Sequence, residues 1–251
     1  PYEVLLNSMN LKFSTQFVEL AAFDAKLGNS DVEANGKIEN FMQYIFKNDL
    51  IKGSFSLNSN LMDLNQMMAS SSTATPAATE TAAATSTAPA TVMEVPSNID
   101  FVLNANVAKV LYTNLTLDNV AGNIVVRNSK VDMTNLKMNT MDGSLTINGF
   151  YETSNPKKPT TGLTLKIENF DIQKSYNAFD VIKKMAPAGQ YAKGKFTATL
   201  ENFNTSLNDK MEPDLNAVKA HGTFKTDKVM VGGFPPIVKL GEALKMEQLK
   251  K

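Results

Sequence analysis

Short stretches of alternating apolar and polar residues dominate this sequence, and they end in pairs such as Asn-Ser, Asp-Gly and Asn-Gly. The clearest series runs over residues 112–152, with turn pairs at Asn128-Ser129, Asp142-Gly143 and Asn148-Gly149. Successive residues of a strand point to opposite faces, so each stretch gives a strand with one apolar face. Asn and Gly adopt the positive φ angles of tight hairpins. The pattern predicts a mainly β chain, folded as an antiparallel sheet whose apolar face must be covered by something.

Composition divides the chain into three parts. Residues 1–68 are predicted to form a first β segment, residues 69–96 a disordered insertion, and residues 97–251 a second β segment. From Ala69 to Thr91 every residue except Glu80 is Ala, Ser, Thr or Pro. Such a run has no large side chain to bury, so it cannot repay the entropy of ordering. A tolerated loop insertion is favoured over a flexible hinge or a glycosylated tether.

A few segments have helical rather than strand periodicity. Asp171 is placed to cap a helix over residues 171–186, and a last helix is predicted over residues 236–250 with Ile237, Leu240 and Leu244 as its apolar stripe. The apolar segment from residue 41 to residue 46 is interpreted as a short helix or lid. Similar strand-and-turn units at residues 52–64 and 121–133 favour an extended, curled sheet of repeated units. A β-sandwich is the alternative, because its meanders are also self-similar.

Charge and residue content exclude several functions. Lys plus Arg and Asp plus Glu number 25 each, and this zero net charge argues against a nucleic-acid partner. The absence of cysteine excludes disulfides, thiolate metal sites and cysteine nucleophiles. His221 is the sole histidine, and neither a phosphate-binding glycine loop nor a nucleophile elbow is present. We therefore expect no enzyme activity, no metal and no cofactor.

The sequence contains no apolar run of the ~20 residues that a membrane-spanning helix requires. A strand pattern starts within a few residues of Pro1, with no signal peptide before it. We expect the chain to be a piece of a larger protein, with any anchor or export signal in the missing part.

Several strand-and-turn motifs carry a resemblance to a known family. They are residues 112–124 (YTNLTLDNVAGNI), 143–151 (GSLTINGFY), 27–31 (LGNSD) and 36–40 (GKIEN), with 136–138 (LKM) and 194–196 (GKF) as further matches. The sequence resembles the C-terminal region of AsmA-like envelope proteins, in the form found in Bacteroidetes-type bacteria. The resemblance covers most of the chain outside residues 69–91.

The resemblance implies a fold and a role. AsmA-like proteins belong to the repeating-β-groove group of bridge-like lipid transfer proteins, in which the sheet curls into a trough that is apolar inside. It implies a periplasmic protein, anchored to the inner membrane by a segment not present here. Such a protein would conduct phospholipid between the inner and outer membranes and support outer-membrane biogenesis. It implies no catalytic residue and no cofactor.

The candidate groove lining is the set of apolar residues that alternate along the strands of the second segment. It comprises Ile99, Phe101, Leu103, Leu115, Leu117, Ile124, Val126, Leu145, Ile147, Leu163, Leu165 and Ile167. A self-packed core would use the same residues, so two other functions stay open. One is a non-conducting scaffold for outer-membrane proteins, with the apolar face covered by the protein's own helices or a second sheet. The other is an enzyme, which would require His221 or paired acids in a polar cleft.

Overall fold

The structure is a computed structural model that describes residues 3–71, 92, 94–208, 211, 213–214 and 216–245. It confirms the predicted fold class, since 63% of it is strand in one large 12-stranded, open, curled sheet. Most of the predicted insertion, residues 72–91 and 93, lies outside the described residues. Its first residues do not follow the prediction, because the helix at Leu64–Ser71 continues through them.

Twelve strands make up the sheet. They are β1 (Val4–Phe13), β2 (Phe17–Leu27), β3 (Ser30–Glu39), β4 (Ile51–Ser59), β5 (Met62–Asp63), β6 (Ile99–Tyr112), β7 (Leu115–Arg127), β8 (Lys130–Thr140), β9 (Gly143–Glu152), β10 (Thr160–Asp171), β11 (Ala192–Ser206) and β12 (Lys219–Val231). Their order in the sheet follows the chain from β1 to β12, except that the short β5 pairs only with β6 outside this path. The two predicted β segments are thus parts of one sheet, joined where β4 pairs with β6.

The junction between β4 and β6 is the one departure from antiparallel pairing along the main path. These strands run parallel, with Ile51 opposite Ile99 and Ser59 opposite Val107. A parallel neighbour cannot be reached by a hairpin and needs a crossover of a dozen residues or more. The connection over residues 60–98, which contains the Ala/Ser/Thr/Pro-rich segment, supplies that crossover. The hairpin pattern of the sequence gave no sign of this parallel pair.

Most predicted hairpins are present, with small differences in their bounds. Asn128 and Ser129 both have positive φ, at 54° and 59°, and join β7 to β8 as predicted. The next turn is centred on Met141 and Asp142, with Gly143 as the first residue of β9. The predicted turn at Asn148-Gly149 is wrong, because both residues lie inside β9. Gly149 is needed there for close approach, since a Cβ at this position would lie 2.4 Å from the carbonyl oxygen of Gly162.

Left-handed asparagines interrupt the interiors of four strands. Asn119, Asn135, Asn169 and Asn202 have φ of 54°, 50°, 56° and 53°, and each lies at a shift of strand register. These are β-bulges, which bend a strand and increase its twist. Asn tolerates the left-handed region better than other non-glycine residues. At Asn135 the freed backbone N–H donates to Oδ1 of Asn148 at 2.8 Å, which gives Asn148 a role inside its strand.

The helices are short and follow strand ends. They are α1 (Phe41–Lys47), α2 (Leu64–Ser71), α3 (Ile172–Ala178), α4 (Asp180–Met185) and α5 (Pro235–Ala243), with a 3-10 turn at Pro187–Tyr191. The predicted cap is confirmed, because the Asp171 carboxylate accepts from the Lys174 backbone N–H at 2.8 Å. The predicted helix over 171–186 is two helices, because Phe179 is extended at φ −121° and ψ 113°. The last helix, α5, ends at Ala243, and residues 246–250 of the predicted helix lie outside the described residues.

We predict that Asn135 is required for its backbone conformation and not for its side chain. Asn135→Val should lower the free energy of unfolding by about 2 kcal/mol, because a β-branched residue is strained at positive φ. Asn135→Gly should be neutral within about 0.5 kcal/mol. The measurement is equilibrium urea unfolding.

Asn139 offers a matched control, since it is exposed in the same strand and has no positive φ. Asn139→Val should leave stability unchanged or raise it slightly, because β-branched residues favour strands. Equal losses at the two positions would contradict the assigned role of the bulge.

Candidate functional site

Strand register aligns the apolar residues of neighbouring strands into one continuous surface, called here the apolar face. Residues that are directly opposite each other in adjacent strands project to the same side of the sheet. Phe55 lies opposite Leu103, and Leu103 lies opposite Ile124 on the next strand. Further along, Ile147 lies opposite both Leu136 and Leu165. The same pairing extends to both ends of the sheet, with Leu11 opposite Leu20 and Ala198 opposite Phe224.

The bulges keep this face apolar along the full length of each strand. In β7, Val120 and Ile124 project to the apolar side of the sheet. The left-handed Asn119 then interrupts the alternation, so that Asn119 and Asp118 both project to the polar side. Leu117 thereby returns to the apolar face. Without an extra residue at this point, Leu117 would lie on the opposite face, because strand side chains alternate strictly.

The structure brings the predicted lining residues together on the apolar face. All of them are partly exposed: none is buried and none is fully open to solvent. They lie on β6, β7, β9 and β10. In a sandwich the inner faces of two packed sheets would bury such residues. These side chains are partly exposed because neighbouring strands cover their flanks while no second layer covers them from above.

Few of the protein's own elements cover the apolar face. In the described part of the chain every strand belongs to the same sheet, so a second sheet is not there to pack on it. α2 contacts β6, and α3 contacts β10 and β11. Buried apolar side chains such as Val110, Met141 and Phe170 lie toward these strand ends. The centre of the face, including Leu103, Ile124 and Ile147, remains partly exposed.

Sequence reasoning missed part of this surface. The lining set omitted β8, which contributes Val131, Met133, Leu136 and Met138, each opposite a residue of β9. It also omitted the first segment and the last two strands, where aromatic side chains line the same face. Phe55 packs edge-on against Phe101 with ring centres 5.5 Å apart, and Phe196 stacks on Phe224 at 5.2 Å. The signal in β8 was obscured because Asn135 changes the alternation from odd to even positions.

The polar side of the sheet carries a cavity of about 1040 Å³. It lies beside the Met141-Asp142 turn and α3 and is lined by side chains that include Asp118, Asp142, Glu168 and Lys174. The hydrogen bond from Lys174, at 2.7 Å, lowers the pKa of Asp142. The hydrogen bond from Lys166 likewise lowers the pKa of Glu168. Both carboxylates are thus held ionised, the opposite of what a general acid at neutral pH requires.

The other candidates for chemistry lie apart from any cleft. His221 is exposed on the edge strand β12, opposite Glu201 of β11. Among the described residues, no group of three or more His, Cys, Asp or Glu side chains is arranged to hold a metal ion. None of the described helices is both long and apolar enough to cross a membrane.

Comparison with protein-family models, curated proteins and solved structures finds no match.

We predict that truncation on the apolar face costs much less stability than truncation at the covered strand ends. Leu165→Ala should lower the free energy of unfolding by about 1 kcal/mol, because part of this side chain is already in contact with water. Phe170 is only 4% exposed, and Phe170→Ala should cost about 3–5 kcal/mol. Chemical unfolding of both variants gives the comparison, and similar losses would show that Leu165 is covered in solution.

Proposed function

We propose that this chain binds lipid acyl chains on its apolar face and provides a segment of a groove along which lipids move. The observation that carries the proposal is the partial exposure of every predicted lining residue on a face that is continuous across the sheet. Soluble proteins rarely leave contiguous apolar patches larger than a few hundred Å² without a partner.

The dimensions of the sheet support this assignment. Eleven strands follow one another along the main path, and neighbouring strands lie about 4.8 Å apart. The apolar face is therefore about 48 Å long in the direction perpendicular to the strands. The curl of the sheet makes this strip a trough rather than a plane. A trough of this length accommodates an extended hydrocarbon chain and leaves room for it to shift lengthwise.

Energetics favour binding of an acyl chain over exposure of the face to water. Burying each methylene stabilises by about 0.8 kcal/mol, so a chain of about 16 carbons would gain about 12 kcal/mol gross. The lining side chains would lose their own contact with water in the same event. A large part of this gain is offset by the ordering of the chain and by its loss of free motion.

The chemistry of the lining supports movement rather than fixed retention. The predicted lining residues are aliphatic or aromatic, and none has a charge or a hydrogen-bonding side chain. A guest therefore finds similar contacts at successive positions along the face. The polar headgroup remains in water on the open side of the trough, where its hydration is kept.

The wider role is the one that the sequence resemblance implies. In this proposal the chain is a periplasmic segment of an envelope protein that conducts phospholipid between the inner and outer membranes. Regions outside this chain would contact both membranes.

A non-conducting scaffold is the second candidate, and the edge strand β1 favours it. Every residue of β1 is exposed, and Leu5 and Leu6 present apolar side chains on both of its sides at 53% and 49% exposure. An edge with free backbone groups and few charges pairs readily with another strand. A scaffold would use this edge for a protein partner and would not need the centre of the face.

The two candidates differ in which residues they require. We expect Leu165→Asp to lower acyl-chain binding by about tenfold or more, because a charge in the apolar face would be desolvated by the guest. Binding is measured by titration of the purified chain with a fluorescent fatty acid, and phospholipid carried through purification is measured by mass spectrometry.

Thr164→Asp is the matched control, since Thr164 precedes Leu165 on the same strand and is exposed on the polar side. It should bind as the unmodified chain does. Equal binding by both variants, or a purified chain that takes up no lipid, would exclude the groove. A scaffold would instead lose its partner on Leu5→Lys and be unaffected by Leu165→Asp.

A further inference from the structure

The helix α5 presents its apolar stripe to solvent. Leu240 is 51% exposed and Leu244, just after the helix, is 57% exposed, whereas Gly241 on the other side is buried. α1, α2 and α3 each pack against a strand, but α5 makes only marginal contact with the described elements. Met230, shortly before the helix, is 69% exposed. Two residues of the predicted apolar stripe, Leu240 and Leu244, are thus uncovered, whereas Ile237 is partly buried.

The same corner of the sheet concentrates positive charge. Lys228, Lys239 and Lys245 lie at this corner with two acidic residues, Asp227 and Glu242, in a chain whose total charge is zero. Lys193 and Lys195 at the start of β11 add to it, because Lys193 lies directly opposite Met230 and Lys195 directly opposite Asp227. The basic side chains therefore share this corner with the exposed apolar ones.

Within the described part of the chain, the lysines of β12 and α5 form no ion pair with a carboxylate. The ion pairs there engage lysines 12, 37, 109, 130, 166, 174 and 183 and Arg127. Lys195 differs from them, because it donates to the backbone carbonyl oxygen of Asp142 at 3.0 Å and its charge also lowers the pKa of the Asp142 carboxyl.

Local contacts fix α5 at this corner of the sheet. The backbone N–H of Gly232 donates to the carbonyl oxygen of Tyr191 at 3.1 Å. The ring of Tyr191 packs against Phe234, the residue before α5, with ring centres 5.5 Å apart. The helix therefore begins directly beside the ends of β11 and β12, where the lysines are.

We propose that β12 and α5 form a docking surface for a bilayer that contains anionic lipids. Exposed leucines on a short helix enter the acyl region, while flanking lysines reach the headgroups and stay solvated. The negative charge of such a lipid surface complements the positive charge of the lysines. Because a bilayer is fluid, the exposed leucines can enter it without a preformed pocket. A rigid acidic protein would need such a pocket. Docking here is independent of acyl binding in the trough, although it would bring the trough's last strand to a source of lipid.

Vesicle sedimentation with the full chain tests the proposal. We expect sedimentation with vesicles of phosphatidylcholine containing about 30 mol % phosphatidylglycerol and little with phosphatidylcholine alone. Raising the salt from about 0.05 M to about 0.5 M should weaken binding, because it screens exposed charges. Lys239→Gln with Lys245→Gln should weaken binding about tenfold. Leu240→Ser with Leu244→Ser should weaken it to a similar degree without unfolding the chain, because both side chains are already exposed.

Two matched pairs serve as controls. Lys157→Gln with Lys158→Gln removes two exposed charges from a distant loop, and Ile45→Ser with Phe46→Ser removes two exposed apolar groups from α1. Both controls should sediment as the unmodified chain does. Failure to bind anionic vesicles, equal binding to neutral ones, or equal losses in the controls and the α5 variants would overturn the proposal. Leu165→Asp should sediment normally, so failure of the trough and failure of docking give different results.

Discussion

Strand register is the constraint on which this structure depends. A slip of one residue between two strands would move an entire apolar set to the polar side. Here many apolar positions lie opposite one another, as at Phe101 with Val126 and at Leu145 with Ile167. Side-by-side contacts between such pairs are the unit from which a sheet gains its stability. A single layer can persist only because these lateral contacts are repeated from strand to strand along the whole sheet.

The bulges show how the sheet bends without losing that register. A regular pleat keeps odd and even residues apart, and curvature needs an extra residue in some strands and not in others. The left-handed asparagines provide this residue and shift the alternation at the same point. The polar side receives the surplus residue, since Asn119, Asn135, Asn169 and Asn202 are all exposed. Curl and an uninterrupted apolar face therefore have the same local cause.

Local sequence signals predicted most of the fold. Alternation and turn pairs identified the strands and most hairpins, because both are set by neighbouring residues. The pair Asn148-Gly149 was wrongly predicted to form a turn. Inside β9, Asn148 instead accepts a hydrogen bond from the bulge at Asn135, and Gly149 allows close contact with the next strand. The parallel pairing of β4 and β6 was beyond reach, because residues far apart in sequence determine it. The residues predicted to line a groove share one face of the sheet, and the set leaves out residues wherever a bulge inverts the alternation, as in β8.

The helices show why amphipathic patterning alone does not reveal what a surface packs against. Ile237, Leu240 and Leu244 have the spacing of a core stripe, and the sequence carries no sign of whether a core lies opposite. In the sheet, strand pairing gives many apolar residues an apolar neighbour on the adjacent strand, even where no second layer covers them. In α5 the stripe has no neighbour of its own, and its leucines are more exposed than the lining of the trough. The apolar face and α5 are thus two different uncovered apolar surfaces: the first is long and its predicted lining carries no charge, and the second is small and lies among lysines that form no ion pair within the described part of the chain. Their different shapes and charges are the physical reason to assign them to different parts of a lipid, the acyl chain to the first and the bilayer surface to the second.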